Sequence, residues 1–399
     1  MNMNKELTIG QFNDSFPPAI DGVANTLINY ADYFHREEGA CYAVVPYYPN
    51  ANYEDFTFPV LNFASIPVPF RRQYRFSHPR LNFKLSSRLM DIDFDILHAH
   101  SPFTSGRIAL ILAKKRNIPI VATFHTKFRD DIMAVFKSDS IADRMIDHIV
   151  AFYHQCDAVW VVNGATGKTL EEYGYKKDYM IAPNGCDFPI GPCTDDIRDR
   201  INERYRIAPG QKLILYVGQH TYQKNTKLII KSIGALKTYG ANFKMLFVGD
   251  GDKKDYLEEM AGRMGLGDDV IFAGSIADRH HLNDIYKRAD LFLFPSLYDN
   301  APLVVREAAA GHTPSLLVAG SNAAEGIVNN ENGFLVSRPN EWEIGKRIYD
   351  IFSDEGLLRE AGQRASETVC IPWETVLRDV HGQYRDIIRT FHGRQRRAI

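Results

Sequence analysis

Two carboxylates eight residues apart, Asp299 and Glu307, are the residues best placed to do chemistry. They lie in FLFPSLYDNAPLVVREAAAG, Phe292 to Gly311, where an apolar run is followed by a loop and then by a helical pattern from about Leu303. Carboxylates accept hydrogen bonds from vicinal hydroxyls, so a pair this far apart could hold two separate polyols. Backbone N–H groups at the helix start favour phosphate. On this segment alone, a solvated loop acid and a helix acid stabilised by the dipole are the favoured alternative.

Lys224 stands in the segment Gly218–Asn225, directly after the apolar run Leu213–Val217. A lysine there could reach a diphosphate as a point charge. An ordinary surface lysine is the alternative.

Glycine turns follow two further apolar runs of the same half. Gly249-Asp250-Gly251 follows Met245–Val248, and Gly274-Ser275-Ile276 follows Val270–Phe272. A bare GxG is weak evidence and is often only a turn. Because these turns and Lys224 share the presumed carboxyl edge of one sheet, together they outline a nucleotide site.

The first half offers a glycine and three histidines. Gly22 precedes a helical pattern and would allow backbone to approach a phosphate, although a tight turn with a helix cap explains it equally well. His98 and His100 share one face of a strand and could bind metal, but no cysteine or further histidine cluster supports a metal site. His125 ends a strand, where it could make a polar contact to a ligand or serve the structure alone.

A basic-aromatic segment runs from Phe56 to Met90 without a single Asp or Glu. It could touch anionic lipid headgroups, each cation adding about 1 kcal/mol. It could also face an anionic acceptor, or be a solvated loop. The cations that form this predicted patch are Arg71, Arg72, Arg75, Arg80, Lys84 and Arg88.

Strands buried on both faces must position these residues. Nearly unbroken apolar runs alternate with helical patterns, which predicts βαβ units and a doubly wound α/β fold. The pattern starts twice, so we predict two domains, 1–190 and 191–372, with ligands bound outside the carboxyl ends of the strands. The predicted strands are Leu7–Phe12, Ala43–Tyr47, Ile96–His98, Ile118–Phe124, Ala158–Val162, Leu213–Val217, Met245–Val248, Val270–Phe272 and Leu291–Phe294, and helices are predicted at Ala24–Phe34, Ile108–Lys115, Lys227–Thr238 and Tyr256–Met264.

Composition excludes several classes of protein. The 399 residues are too many for one ordinary core, and 45% hydrophobic and 24% charged residues are typical of a globular protein. A net charge of −2 gives no overall attraction to nucleic acid. Five scattered cysteines without a CxxC pair suggest neither a disulfide framework nor a zinc site. Without a signal peptide pattern or a membrane-spanning run, we expect a cytoplasmic protein, with peripheral attachment to the inner face of the membrane as an option.

Nearly the whole chain resembles the retaining glycosyltransferases of family 4. PSLYDNAPLVVRE matches the second position of the family's E-x7-E motif with Glu307, and has Asp299 at the first position. The resemblance implies a GT-B fold, two Rossmann-like domains facing a central cleft. It also implies that Glu307 binds the donor ribose, Asp299 the sugar hydroxyls and Lys224 the diphosphate. Gln219 stands where the family has an arginine, so one cation is missing, and His220 or a neighbour is expected to compensate.

The resemblance assigns further residues by position. His125 matches the family's active-site histidine, and PNGCD, Pro183 to Asp187, resembles the family's interdomain PNGVD. Pro372-Trp373-Glu374 resembles the start of a helix, about 373–391, that packs back onto the first domain. The donor-binding set is then Gly22, Gln219, Lys224, Gly249, Gly251, Ser275, Ile276, Asp299, Asn300, Ala301, Pro302, Leu303 and Glu307.

The implied reaction moves a hexose from a nucleoside diphosphate sugar, UDP-glucose being our choice, to a lipid, glycan or small-sugar acceptor, without a metal or other cofactor. A nucleotide-sugar epimerase and a catalytically silent sugar-nucleotide-binding protein are the alternatives. A dehydrogenase is disfavoured, since no G-x-G-x-x-G follows Leu7–Phe12.

Overall fold

The computed structural model describes residues 6–19, 21–68, 71–77 and 83–398. The chain divides into two compact units. The first contains Met1–Asn184 together with Trp373–Ile399, and the second contains Gly185–Pro372. The second unit is thus inserted into the first along the chain.

The first unit is built on a parallel sheet in the order β3-β2-β1-β6-β7-β8-β9, and β4 and β5 form a separate antiparallel pair. Its elements before the insertion are β1 Thr8–Phe12, α1 Gly22–Glu38, β2 Ala40–Pro46, β3 Val60–Phe63, β4 Ile66–Val68, β5 Arg71–Phe76, α2 Phe83–Met90, β6 Ile96–Ala99, α3 Thr104–Arg116, β7 Ile120–Phe124, α4 Phe128–Phe136, α5 Asp139–Tyr153, β8 Ala158–Val161, α6 Gly164–Glu172 and β9 Met180–Ile181.

The second unit repeats this architecture with a parallel sheet in the order β12-β11-β10-β13-β14-β15. Its elements are α7 Asp195–Tyr205, β10 Lys212–Val217, α8 Thr226–Thr238, β11 Phe243–Val248, α9 Lys254–Arg263, β12 Val270–Gly274, α10 Arg279–Arg288, β13 Leu291–Leu293, α11 Leu303–Ala310, β14 Ser315–Val318, β15 Phe334–Val336, α12 Glu341–Phe352 and α13 Glu355–Thr368. The chain then returns to the first unit as α14 Trp373–Ala398.

In each sheet the first strand of the unit is central. β1 lies between β2 and β6, and β10 lies between β11 and β13. The strand order reverses at these positions, and ligands of open α/β sheets bind at such switch points, beyond the carboxyl ends of the strands. The predicted doubly wound α/β class is therefore confirmed, with the loops after β1 and β10 at the functionally favoured positions.

Entry to and exit from the second unit lie side by side. Cys186 and Pro372 form an isolated parallel bridge, and the N–H of Cys186 donates to the carbonyl of Ile371 at 2.8 Å. Among the described residues, no helix is both long and apolar enough to cross a membrane.

Candidate active site

Lys224 and Asp299 meet at the carboxyl edge of the second sheet. Lys224 ends a short 3-10 helix, Tyr222–Lys224, in the loop after β10, and Asp299 lies in the loop after the neighbouring strand β13. The Lys224 ammonium is ion-paired with the Asp299 carboxylate, and the two side chains are only 19% and 14% exposed. Because an ammonium has three donors, this lysine can hold the carboxylate and still donate to an anion.

A serine fixes the second oxygen of the Asp299 carboxylate. The hydroxyl of Ser296, fully buried, donates to Asp299 Oδ2 at 2.5 Å. The same hydroxyl oxygen accepts from the backbone N–H groups of Tyr298 and Asp299, at 3.3 and 3.4 Å. The loop therefore orients the carboxylate before any ligand arrives.

Glu307 has a separate set of partners in α11. Its side chain is buried, and it accepts from the Tyr286 hydroxyl at 2.8 Å and from the Arg279 guanidinium at 3.2 Å. Burial raises the pKa of Glu307, whereas the charge of Arg279 and the Tyr286 hydrogen bond lower it. The two carboxylates thus have different protein partners, and their contacts to different parts of a ligand stay a prediction.

Arg279 is a site residue that the sequence did not reveal. It begins α10, donates to Asp187 at 2.6 Å as well as to Glu307, and its guanidinium carbon lies 4.0 Å from the centre of the Phe188 ring. It therefore supplies a cation at Glu307. Nothing in the spacing of residues 279 and 307 signals this contact, which depends on how α10 and α11 pack.

His220 does not replace the arginine that Gln219 lacks. The His220 side chain has no exposed surface, and its ring packs edge-on against Phe247 and Phe272, with centroids 5.7 and 5.9 Å away. Burial lowers the pKa of His220, so the ring is neutral. Gln219 itself is exposed, and its carbonyl accepts from the Tyr216 hydroxyl at 2.9 Å. The expected compensation by His220 was wrong, because strand ends rich in aromatic residues surround the ring.

The glycine turns bring backbone against backbone at the same edge. A Cβ on Gly249 would lie 2.1 Å from the Gly218 carbonyl oxygen, and its φ of 126° also excludes other residues. A Cβ on Gly251 would lie 2.5 Å from the His220 carbonyl oxygen. The N–H of Gly249 donates to the Gly274 carbonyl at 2.9 Å. The loops after β10, β11 and β12 are therefore packed together, as their predicted common edge requires.

The remaining predicted donor residues of this unit flank those loops and the start of α11. Ser275 is exposed, and Ile276 packs against the core. Asn300 is buried and accepts from the Asn322 side chain at 2.9 Å, while Ala301, Pro302 and Leu303 are half-buried. Pro302 is the N-cap of α11 and makes no side-chain capping bond.

In the first unit, Gly22 is the first residue of α1. The Asp21 side chain caps this helix by accepting from the Ala24 N–H at 2.7 Å. The helix-cap interpretation therefore accounts for the local sequence, and a phosphate contact at Gly22 stays a prediction.

The three histidines predicted from strand ends form part of one hydrogen-bonded network, in which His98 and His100 are buried and His125 is half-buried. His125 Nε2 lies 3.1 Å from His100 Nδ1, and His100 Nε2 lies 2.9 Å from Gln11 Oε1. The Gln11 amide nitrogen donates to the hydroxyl of Tyr384, in α14, at 3.2 Å. That hydroxyl is also 2.6 Å from His98 Nδ1. Side chains from β1, β6, β7 and α14 thereby connect around one buried centre.

Burial keeps these imidazoles neutral. It lowers the pKa of His125 to about 3 and brings the pKa values of His98 and His100 well below the ordinary range. Within the described ranges, no group of three or more His, Cys, Asp or Glu side chains has the arrangement of a metal site.

The basic segment is folded rather than a plain loop. Residues 71–76 form β5, which pairs antiparallel with β4. Arg75 donates to the Ser65 hydroxyl and carbonyl at 2.9 and 2.8 Å, with its guanidinium over the Tyr48 ring, whereas Arg88 is exposed on α2. Arg80 and the side chains of Arg71, Arg72 and Lys84 lie outside the described residues. Of the predicted patch, Arg75 therefore makes its contacts within the protein itself.

Comparison with solved structures identifies the fold. The chain aligns with HepE of Anabaena, solved in complex with UDP-glucose, with a TM-score of 0.75 and 16% identity over 95% of this chain and all of that chain. The fold is that of the GT-B glycosyltransferases.

Two family models then cover most of the sequence: "Glycosyltransferase Family 4" matches residues 20–188 and "Glycosyl transferases group 1" matches residues 197–368. The chain belongs to the family 4, or group 1, glycosyltransferases. It is 24% identical over 317 residues to alpha-monoglucosyldiacylglycerol synthase of Streptococcus pneumoniae, covering 77% of this chain and 70% of that protein. It is 23% identical to N-acetyl-alpha-D-glucosaminyl L-malate synthase of Bacillus anthracis, covering 83% and 86%.

Proposed function

We propose that this glycosyltransferase is a retaining hexosyltransferase that uses UDP-glucose. The observation that carries the proposal is the separation of two oriented carboxylates at one sheet edge, Asp299 with Lys224 and Glu307 with Arg279 and Tyr286. A site for a nucleoside diphosphate sugar needs separate polar groups of this kind, because the hexose, the diphosphate and the ribose each require different hydrogen-bonding or charged partners. The complex of the structural neighbour HepE with UDP-glucose supports the choice of donor.

Each residue then has a distinct role in the proposed complex. Glu307 accepts hydrogen bonds from the ribose hydroxyls, and Asp299 accepts from the hexose hydroxyls. Lys224 and the backbone N–H groups of the packed loops interact with the diphosphate. The roles of His125 and Gly22, in the first unit, stay as the resemblance to the family implies them.

The proposed chemistry is a front-face displacement. The bond between the anomeric carbon and the diphosphate oxygen breaks through an oxocarbenium-like transition state. The acceptor hydroxyl oxygen bonds to that carbon from the same face, and the hydroxyl proton passes to the departing diphosphate oxygen. Negative charge grows on the leaving diphosphate. Cations and amides already in place stabilise that charge, usually the largest catalytic contribution. In the proposed reaction these groups take the place of a metal ion.

For the acceptor, we propose a diacylglycerol-type lipid at an anionic membrane surface. A glycan precursor is the second candidate. The relative named alpha-monoglucosyldiacylglycerol synthase supports the lipid. The relative named for L-malate is the reason to include small acceptors in the test. The exposed Arg88 is available for an anionic surface.

The test is product analysis with UDP-glucose labelled in the hexose. The enzyme is incubated with diacylglycerol in vesicles containing anionic lipid, with neutral vesicles, with L-malate, and without acceptor. A labelled glucolipid whose anomeric signal is α, as in the donor, is expected. A β product would overturn retention. Conversion of the free donor to another sugar nucleotide without acceptor would favour an epimerase, and tight donor binding with no product across the panel would favour a silent binding protein.

A further inference from the structure

Two cysteines of the second unit meet where the chain enters and leaves it. The backbone N–H of Cys186 donates to the Ile371 carbonyl at 2.8 Å, which places the preceding residue, Cys370, beside Cys186. Both side chains belong to the buried core of this unit, with 5% and 6% of their surface exposed. Their thiols share a hydrogen bond, and both are free in the structure. The fold therefore brings together a dithiol that no CxxC motif predicts.

The two thiols differ in acidity. Hydrogen bonding from Cys186 and the positive charge of Arg306 lower the pKa of Cys370, against the effect of burial. The same hydrogen bond, together with burial, raises the pKa of Cys186. Because the thiolate is the form that reacts with an oxidant, Cys370 is the attacking member of the pair, and Cys186 holds the proton.

The other three cysteines have pKa values shifted upward. Burial raises the pKa of Cys41 and of Cys156, both in the first unit. Burial also raises the pKa of Cys193, which is half-buried in the second unit. Oxidation is therefore expected first at the pair formed by Cys186 and Cys370.

The segment that follows Cys186 contacts both partners of Glu307. The carboxylate of the next residue accepts from the Arg279 guanidinium at 2.6 Å. The Phe188 ring lies 4.0 Å from the central carbon of that guanidinium and packs on Tyr286, with ring centroids 5.8 Å apart. Arg279 and Tyr286 are the groups that donate to Glu307. A new covalent bond at Cys186 would therefore disturb the surroundings of the Glu307 carboxylate.

We propose that a peroxide oxidises Cys186 and Cys370 to a disulfide, and that the oxidised protein binds its sugar nucleotide more weakly. The Cys370 thiolate attacks one oxygen of hydrogen peroxide, and the O–O bond breaks to give a sulfenic acid and a hydroxide, which takes up the proton lost by Cys370. The Cys186 sulfur then bonds to the Cys370 sulfur, and the sulfenic hydroxyl leaves as water with the Cys186 proton. The pair loses two electrons and two protons, and the peroxide is reduced to two molecules of water.

Peptide mapping tests the disulfide. The full chain carrying Cys193→Ser is treated with hydrogen peroxide, unfolded in an alkylating reagent and digested with trypsin without reductant. The substitution is needed because Cys186 and Cys193 lie in one tryptic peptide, residues 178–198. We expect this peptide to be linked to residues 365–378, which contain Cys370, and the link to disappear after dithiothreitol. Alkylated or separately oxidised Cys186 and Cys370, with no linked pair, would overturn the proposal.

Two single substitutions test the order of attack. In Cys186→Ser the hydroxyl can still donate to Cys370, so oxidation should stop at a Cys370 sulfenic acid, which dimedone traps. In Cys370→Ser the attacking thiolate is gone, so Cys186 should remain a thiol under the same peroxide treatment. A dimedone adduct on Cys186 in the second variant would refute the assignment of Cys370 as the attacking thiolate.

Calorimetry tests the effect on the sugar nucleotide, and this effect rests on the proposed function, whereas the disulfide is a property of the free chain. Oxidation should raise the Kd of UDP-glucose at least about fivefold, the lower end of typical coupling between two sites. Dithiothreitol should restore the original Kd. The double variant Cys186→Ser with Cys370→Ser is the control, and its Kd should be the same before and after peroxide.

The two measurements separate the two proposals. A linked peptide pair with an unchanged Kd would refute the coupling between the dithiol and the donor site. If the untreated chain did not bind UDP-glucose, the proposed function would fail, while the peptide map would still decide whether the disulfide forms.

Discussion

Lys224 and Asp299 are ion partners although 75 residues separate them in sequence. They meet because β10 and β13 are adjacent in the sheet and their loops leave at the same edge. The pair holds the ammonium group where a diphosphate is expected while its remaining donors stay available for the phosphate.

Removing the Lys224 cation should abolish most of the activity and leave the secondary structure unchanged. We expect Lys224→Met to lower kcat about 10²- to 10³-fold, as for loss of one electrostatic contact to a developing charge. Far-UV circular dichroism should be unchanged, because Asp299 keeps its bond from Ser296. Lys227→Met, an exposed lysine one turn further along, is the control. Wild-type turnover in Lys224→Met would remove the residue from the mechanism.

Glu307 should matter for stability as well as for the donor. Glu307→Ala leaves the buried Tyr286 hydroxyl without its acceptor, which costs about 1–3 kcal/mol. We expect both weaker UDP-glucose binding by calorimetry and a lower free energy of unfolding in urea. Glu360→Ala, an exposed glutamate on α13, should change neither. If donor binding were lost while the free energy of unfolding stayed at the wild-type value, the Tyr286–Glu307 hydrogen bond would contribute nothing to stability.

Donor affinity should depend on pH through Glu307. Burial raises its pKa, and protonation removes an acceptor for the ribose, so affinity should fall as pH falls through that raised value. Arg279→Met removes the charge that lowers the pKa of Glu307, so the loss of donor affinity should begin at a higher pH. The measurement is the Kd of UDP-glucose, whose diphosphate diester does not titrate near neutrality. Arg263→Met, at an exposed surface pair, is the control, and an identical pH profile in Arg279→Met would refute the coupling.

The buried histidines should make the protein lose stability in mild acid. The folded-state pKa values of His98, His100 and His125 lie below the unfolded value of 6.5. Below about pH 6.5 these three side chains therefore gain protons in the unfolded chain but not in the folded one. Each histidine then costs up to about 1.4 kcal/mol per pH unit. Urea unfolding measures the free energy of unfolding at pH 6 and at pH 5. The loss between the two pH values should be smaller in His98→Gln than in the wild type. His148→Gln, at an exposed position, should retain the wild-type difference.

Gly249 should tolerate no side chain. Its φ of 126° and the 2.1 Å approach of the Gly218 carbonyl leave no place for a Cβ, so Gly249→Ala should separate the loops after β10 and β11 and weaken donor binding. Gly262→Ala is the matched control, since Gly262 lies in α9 with no atom within 4 Å of its Cβ position. There we expect stabilisation by about 0.5–1 kcal/mol. Equal donor affinity in both variants would contradict the role of the turn.

Sequence predicted the features that depend on local pattern. Long apolar runs such as Ile118–Phe124 became buried strands. Asp299 and Glu307 have different protein partners, and their contacts to two separate polyols stay a prediction. Short strands such as Phe334–Val336 escaped detection, because three residues carry too little alternation or apolar length to stand out.

Individual side-chain contacts between distant elements could not be predicted from the residue pattern. Gln11 and Tyr384 are 373 residues apart, and no composition or period links them. Likewise, the sequence places His220 in a polar-looking loop, while its ring is buried among aromatic side chains of neighbouring strands. Such residues change role with their surroundings, which only the packed strands define.

The insertion of the second unit has a consequence for synthesis on the ribosome. Trp373 and Tyr384 complete the core of the first unit, yet they are made after the whole of Gly185–Pro372. The inserted unit, whose ends are already joined by the Cys186–Pro372 bridge, can close on itself first. The half of the protein that leaves the ribosome first is thus the last to reach its native state, and until then His98 lacks its hydrogen bond to the Tyr384 hydroxyl.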